Sequence, residues 1–84
     1  MAQKILVVED ELALRETLVY NLENNDYEVQ ATGNGKQAVE LAKELAPDLI
    51  VLDLMLPGMD GFAITRTLRK DMNVPILMLT ARDD

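Results

Sequence analysis

The stretch Leu49-Ile50-Val51-Leu52-Asp53-Leu54-Met55-Leu56-Pro57-Gly58-Met59-Asp60-Gly61 decides how this chain is read. Four apolar residues run directly into a carboxylate, and a turn rich in Pro and Gly follows. A short apolar run bounded by turn signals is the pattern of a strand buried on both faces. Asp53 then stands at the carboxyl end of that strand. In open α/β sheets this is the edge where ligands bind.

Working outward, residues 5–8 (Ile5-Leu6-Val7-Val8) repeat the pattern, and Glu9, Asp10 and Glu11 stop it. Over 11–25, Leu14, Leu18 and Leu22 recur every four residues with Val19 beside them, which is helical periodicity. Acidic residues at its start suit the helix dipole, and Asn24-Asn25-Asp26 forms a stop. Residues 27–32 alternate, with Tyr27, Val29 and Ala31 against Glu28 and Gln30, as in a half-exposed edge strand. Gly33-Asn34-Gly35 is a turn with Asn34 as N-cap. A helical stripe of Ala38, Val39, Leu41, Ala42 and Leu45 follows, ended by Pro47. After the central strand, Phe62, Ile64, Leu68 and Met72 mark a third helix over 62–72, with Arg66, Arg69 and Lys70 toward solvent. Residues 76–79 form a fourth apolar run. Strands and helices alternate with short loops, so the expected fold is α/β: one open parallel sheet with right-handed crossovers.

At 84 residues the chain is one small domain with a modest core. A net charge of -7 argues against contact with nucleic acid or an anionic membrane surface through this segment. The absence of Cys removes thiolate chemistry, and the absence of His removes the commonest general base and zinc ligand. No run has the length of a membrane span, and a cytoplasmic protein is expected.

In a parallel sheet all strand carboxyl ends share one edge. Glu9 and Asp10 follow the first strand, Asp53 the third and Thr80 the fourth. Gathered carboxylates repel unless a cation joins them, and hard oxygen ligands without His or Cys suit Mg²⁺ or Mn²⁺. A carboxylate beside such an ion can act as nucleophile toward a phosphoryl group. An aspartate-nucleophile phosphatase would want a second Asp where the chain has Met55, and a calcium loop would want acids at alternating positions.

Three blocks carry a closer resemblance: Ile5-Leu6-Val7-Val8-Glu9-Asp10-Glu11, the run from Leu49 to Gly61, and Pro75-Ile76-Leu77-Met78-Leu79-Thr80-Ala81. In this order and spacing they resemble the signature of bacterial response-regulator receiver domains. Their wording is most like the subfamily that joins a receiver to a winged-helix DNA-binding domain. The resemblance implies a flavodoxin-like sheet of strand order 2-1-3-4. It implies Asp53 as phosphoacceptor, taking a phosphoryl group from a sensor histidine kinase. Glu9, Asp10, Asp53 and the Met55 carbonyl would hold Mg²⁺, the Thr80 hydroxyl would contact the phosphate as a switch, and the Ala81 N–H would help cradle it. The chain would be a signalling receiver within a transcriptional regulator, catalysing at most its own phosphotransfer.

The family pattern has five strand–helix units, whereas the motifs here run out after the fourth strand. The resemblance therefore implies a truncated receiver over 1–84, without the family's phosphate-pairing Lys and without a DNA-binding domain. A fourth strand left as a bare apolar edge would favour a homo-oligomer or domain-swapped dimer. The competing expectation is a folding or assembly module that self-associates through that strand and is not phosphorylated.

Overall fold

The computed structural model describes residues 2–53 and 60–79. Its elements follow in the order β1 (Lys4–Val8), α1 (Leu12–Asn24), β2 (Glu28–Thr32), α2 (Gly35–Leu45), β3 (Leu49–Asp53), α3 (Gly61–Arg69) and β4 (Ile76–Leu79). All strand pairs are parallel, and the strands lie in the order β2-β1-β3-β4. The parallel sheet is the one expected from the alternating pattern, and its strand order is the one the resemblance implies.

The continuous apolar runs follow from burial on both faces. On one face Leu6, Val8, Ile50 and Leu52 pack with Ala38 and Ala42 of α2 and Ile64 and Leu68 of α3. On the other, Ile5, Val7 and Val51 pack with Leu18 and Leu22 of α1. Each fully buried Leu, Ile or Val side chain contributes about 1.5–3 kcal/mol relative to exposure. The two central strands therefore carry most of the core.

Helix ends are set locally. Asn34 Oδ1 accepts from the Gln37 N–H at 3.0 Å, as expected, and Asp60 Oδ1 accepts from the Phe62 N–H at 3.0 Å. Both satisfy donors that the first helical turn leaves unpaired. At the end of α2, Ala46 adopts a left-handed conformation (φ 48°) and its N–H reaches the Ala42 carbonyl at 3.0 Å. Pro47 bars a right-handed continuation, because a residue before proline is driven out of that region, and a left-handed residue is a common way for a helix to end.

Two expectations about helix ends are corrected. The first turn of α1 contains no acid: Glu11 is the N-cap and makes no side-chain cap bond. The apolar stripe of α1 is half-buried, and the helix contains no fully buried residue. The third helix ends earlier than 72. Lys70 and Asp71 turn their N–H groups to Thr67 and Leu68, three residues back, which tightens the chain into a turn. Arg69 then reaches forward to the Val74 carbonyl.

Among the described residues β2 and β4 are the outer strands. On β4, Leu77 lies beside Val51 and is 54% exposed.

Candidate metal centre

The register of the two central strands brings the acids together. Val8 pairs with Leu52, so Glu9 and Asp53 emerge at the same level of the sheet. The Glu9 N–H donates to the Thr32 carbonyl at 3.0 Å, which continues the β1–β2 ladder one residue past the strand. Glu9 is thereby held as strand-like backbone although it is an acid. Carboxylate oxygens of Glu9, Asp10 and Asp53 all lie within 4.8 Å of one another. Topology alone assembles them, since more than forty residues separate Asp10 from Asp53.

The two strand-end acids are deeply placed: Glu9 is 1% exposed and Asp53 is 4% exposed. They form part of the wall of a groove of about 480 Å³ between α1 and the sheet edge, which Leu14, Leu18 and Leu79 also line. Burial pushes the Glu9 carboxyl above its ordinary range, and the charges of Asp53 and Asp10 push it further. The Glu11 N–H opposes the shift by donating to Glu9 Oε2 at 3.0 Å.

These residues fit a hard divalent cation. Glu9 Oε1 is buried and accepts no hydrogen bond from the described residues. A buried carboxylate oxygen left without a donor is costly unless a cation or proton supplies the missing contact. The donor set consists of oxygen alone, as Mg²⁺ and Mn²⁺ prefer.

Glu9, Asp10 and Asp53 thus meet as the sequence implied. Met55, Thr80 and Ala81 lie outside the described residues. Sequence reasoning passed over Arg15. Its Nη1 donates to the Glu9 carbonyl at 2.8 Å and to the Asp10 carbonyl at 3.4 Å. A signal was available, because Arg15 is the only cationic side chain between Lys4 and Lys36, in a stretch full of acids.

The chain is similar to known proteins in sequence and in fold. The DNA-binding response regulator MtrA of Mycobacterium tuberculosis and that of Mycobacterium leprae are each 49% identical to this chain over all 84 residues. The chain spans 37% of the length of these relatives. Among solved structures, the BeF3-activated N-terminal receiver domain of Klebsiella pneumoniae RstA matches with a TM-score of 0.88 and 37% identity, over 96% of this chain and 69% of that one. The chemotaxis response regulator CheY4 of Vibrio cholerae matches with a TM-score of 0.93 and 30% identity, over 100% of this chain and 72% of that one. The family model of the response regulator receiver domain matches residues 5–84. That match begins inside β1 and takes in every acid of the cluster, and the chain belongs to the response regulator receiver domain family.

Proposed function

We propose that Asp53 is the phosphoacceptor of a two-component receiver, served by a divalent cation held on Glu9, Asp10 and Asp53. The observation that supports this reading is the meeting of three carboxylates at the ends of β1 and β3, with Asp53 on the wall of an open groove. Mg²⁺ bound there would offset the negative charge that builds on phosphoryl oxygens during transfer. The chain's own part is positional. β3 fixes the Asp53 backbone, and burial confines the carboxylate. An Asp53 oxygen forms a bond to phosphorus as the phosphorus–nitrogen bond of a kinase phosphohistidine breaks, and the imidazole nitrogen keeps the electron pair and takes up a proton. The product is an aspartyl phosphate. As the family resemblance implies, the Met55 carbonyl would add a metal ligand, and the Thr80 hydroxyl and Ala81 N–H would contact the phosphoryl oxygens.

The partner of this reading is a sensor histidine kinase, and the setting is a cytoplasmic regulator of transcription, in keeping with MtrA being a DNA-binding response regulator. Among the described residues no helix is long and apolar enough to cross a membrane. Incubation with Mg²⁺ and acetyl phosphate tests the chemistry. The chain gains the mass of one phosphoryl group, and Asp53→Asn gains none. Label that persists in Asp53→Asn would sink the assignment.

One observation favours a second reading, in which the isolated chain self-associates through β4. Leu77 is exposed on an outer strand among the described residues. Sedimentation decides it: association that weakens in Leu77→Lys supports the reading, and a monomer at all concentrations removes it.

A further inference from the structure

We infer that Arg15, with the clearance left by Gly33, is the positioning residue that fixes the acid-bearing turn for the divalent cation. This rests on the metal reading above. Arg15 sits in the first turns of α1, and its guanidinium reaches back over the turn between β1 and α1. There its Nη1 donates to the main-chain carbonyls of Glu9 and Asp10. The bonds are made to main-chain oxygens. The guanidinium therefore orders the backbone of both acids while their carboxylate oxygens still lie within 4.8 Å of one another. A single donor bridging successive carbonyls restricts the peptide that joins Glu9 to Asp10, which sets the direction of both side chains.

Gly33 makes the reach possible. A Cβ at this position would stand 2.6 Å from Arg15 Nη1 and 3.3 Å from the Asp10 Cα. The first distance is too short for two atoms to share, so the guanidinium would have to move. Gly33 follows Thr32, whose carbonyl accepts the Glu9 N–H. The turn after β2 and the Arg15 guanidinium therefore meet at Glu9, the first on its N–H and the second on its carbonyl. Groups behind a metal ligand that set its orientation commonly change affinity by about 10–100-fold when removed.

The test uses Mn²⁺ binding followed by electron paramagnetic resonance, with unfolding by urea in metal-free buffer measured in parallel. Wild type binds Mn²⁺; if it does not, the metal reading fails and this inference falls with it. Given wild-type binding, Arg15→Ala binds about tenfold more weakly or worse, and Arg15→Lys recovers part of the loss. Gly33→Ala also weakens binding, and Arg15→Ala combined with Gly33→Ala is no weaker than Arg15→Ala alone, because the methyl acts by displacing the guanidinium. A merely structural role would lower the urea midpoint and leave the affinity of the folded protein unchanged. Wild-type affinity in Arg15→Ala overturns the inference, as do fully additive losses in the double variant. If Arg15→Ala does not fold, wild-type affinity in both Arg15→Lys and Gly33→Ala overturns it, and weakened binding in Gly33→Ala supports it.

Discussion

Val8 and Leu52 face each other in parallel register at the centre of the sheet, and the next residue on each strand is a buried acid. The hydrogen-bond ladder that organises the core thus also forces Glu9 and Asp53 into each other's field. Without a cation the fold carries this repulsion. Asp53→Asn should therefore stabilise the metal-free protein by about 1 kcal/mol or more, the order of one close like-charge pair. It should also abolish the rise in melting temperature that Mg²⁺ gives wild type. Thermal unfolding with and without Mg²⁺ measures both, and a variant that is less stable without metal would contradict the repulsion.

The two ligands that follow β1 should differ in weight. Glu9 already uses Oε2 on the Glu11 N–H and offers the cation Oε1 alone, whereas Asp10 is the more exposed acid. Asp10→Asn is expected to weaken Mg²⁺ by about tenfold or more, and Glu9→Gln by less. Calorimetric titration checks the order, and equal losses would remove the distinction.

The raised pKa of Glu9 has a signed consequence. Unfolded, this carboxyl titrates near 4.5; folded and metal-free, it titrates higher because of burial and then its acidic neighbours. Between the two values the folded state holds more protons, so this group's contribution to stability falls as pH rises through that window. The difference in stability between wild type and Glu9→Gln should move against wild type as pH rises above 4.5, and level off once folded Glu9 is ionised. Mg²⁺ should reverse the trend, since the ionised carboxylate binds it. Urea titrations over a pH series measure the difference, and a pH-independent one would contradict it.

The core prediction separates the two kinds of Leu in this chain. Leu52 is fully buried between the sheet and helices α2 and α3, and Leu52→Ala should cost about 2–5 kcal/mol. A small domain has only about 5–15 kcal/mol in total, so this variant sits near the limit of folding. Leu12 is 56% exposed, and Leu12→Ala should change stability by less than about 0.5 kcal/mol. At the end of α2, Ala46→Gly should stabilise by about 0.5–1 kcal/mol, since it relieves a left-handed backbone at a residue with a Cβ. Chemical denaturation measures all three.

The sheet was legible because its two central strands are buried on both faces, and such burial requires the unbroken runs of residues 5–8 and 49–52. The acids were legible for a related reason: parallel topology sends every strand end to one edge, so sequence distance stops mattering. Other features depend on three-dimensional reach. Nothing periodic marks a guanidinium that turns back onto carbonyls five and six residues earlier. Gly33 reads as an ordinary turn glycine, yet what it provides is space beside another element. The stripe of α1 marks a helix but not its depth: among the described residues that helix is alone on its face of the sheet, and its apolar residues stay half-covered.

The continuation of β1 into Glu9 through the Thr32 carbonyl has a dynamic meaning. Glu9 and Asp53 extend the two strands that have neighbours on both sides. Amides in such strands exchange with solvent only when the whole cooperative unit opens, while outer strands and helix ends fray alone. The backbones of Glu9 and Asp53 are therefore tied to the opening of the central strands. A charge gained or lost at Asp53 is felt by the slowest-exchanging part of the molecule, and the chemistry of one side chain becomes a property of the entire sheet.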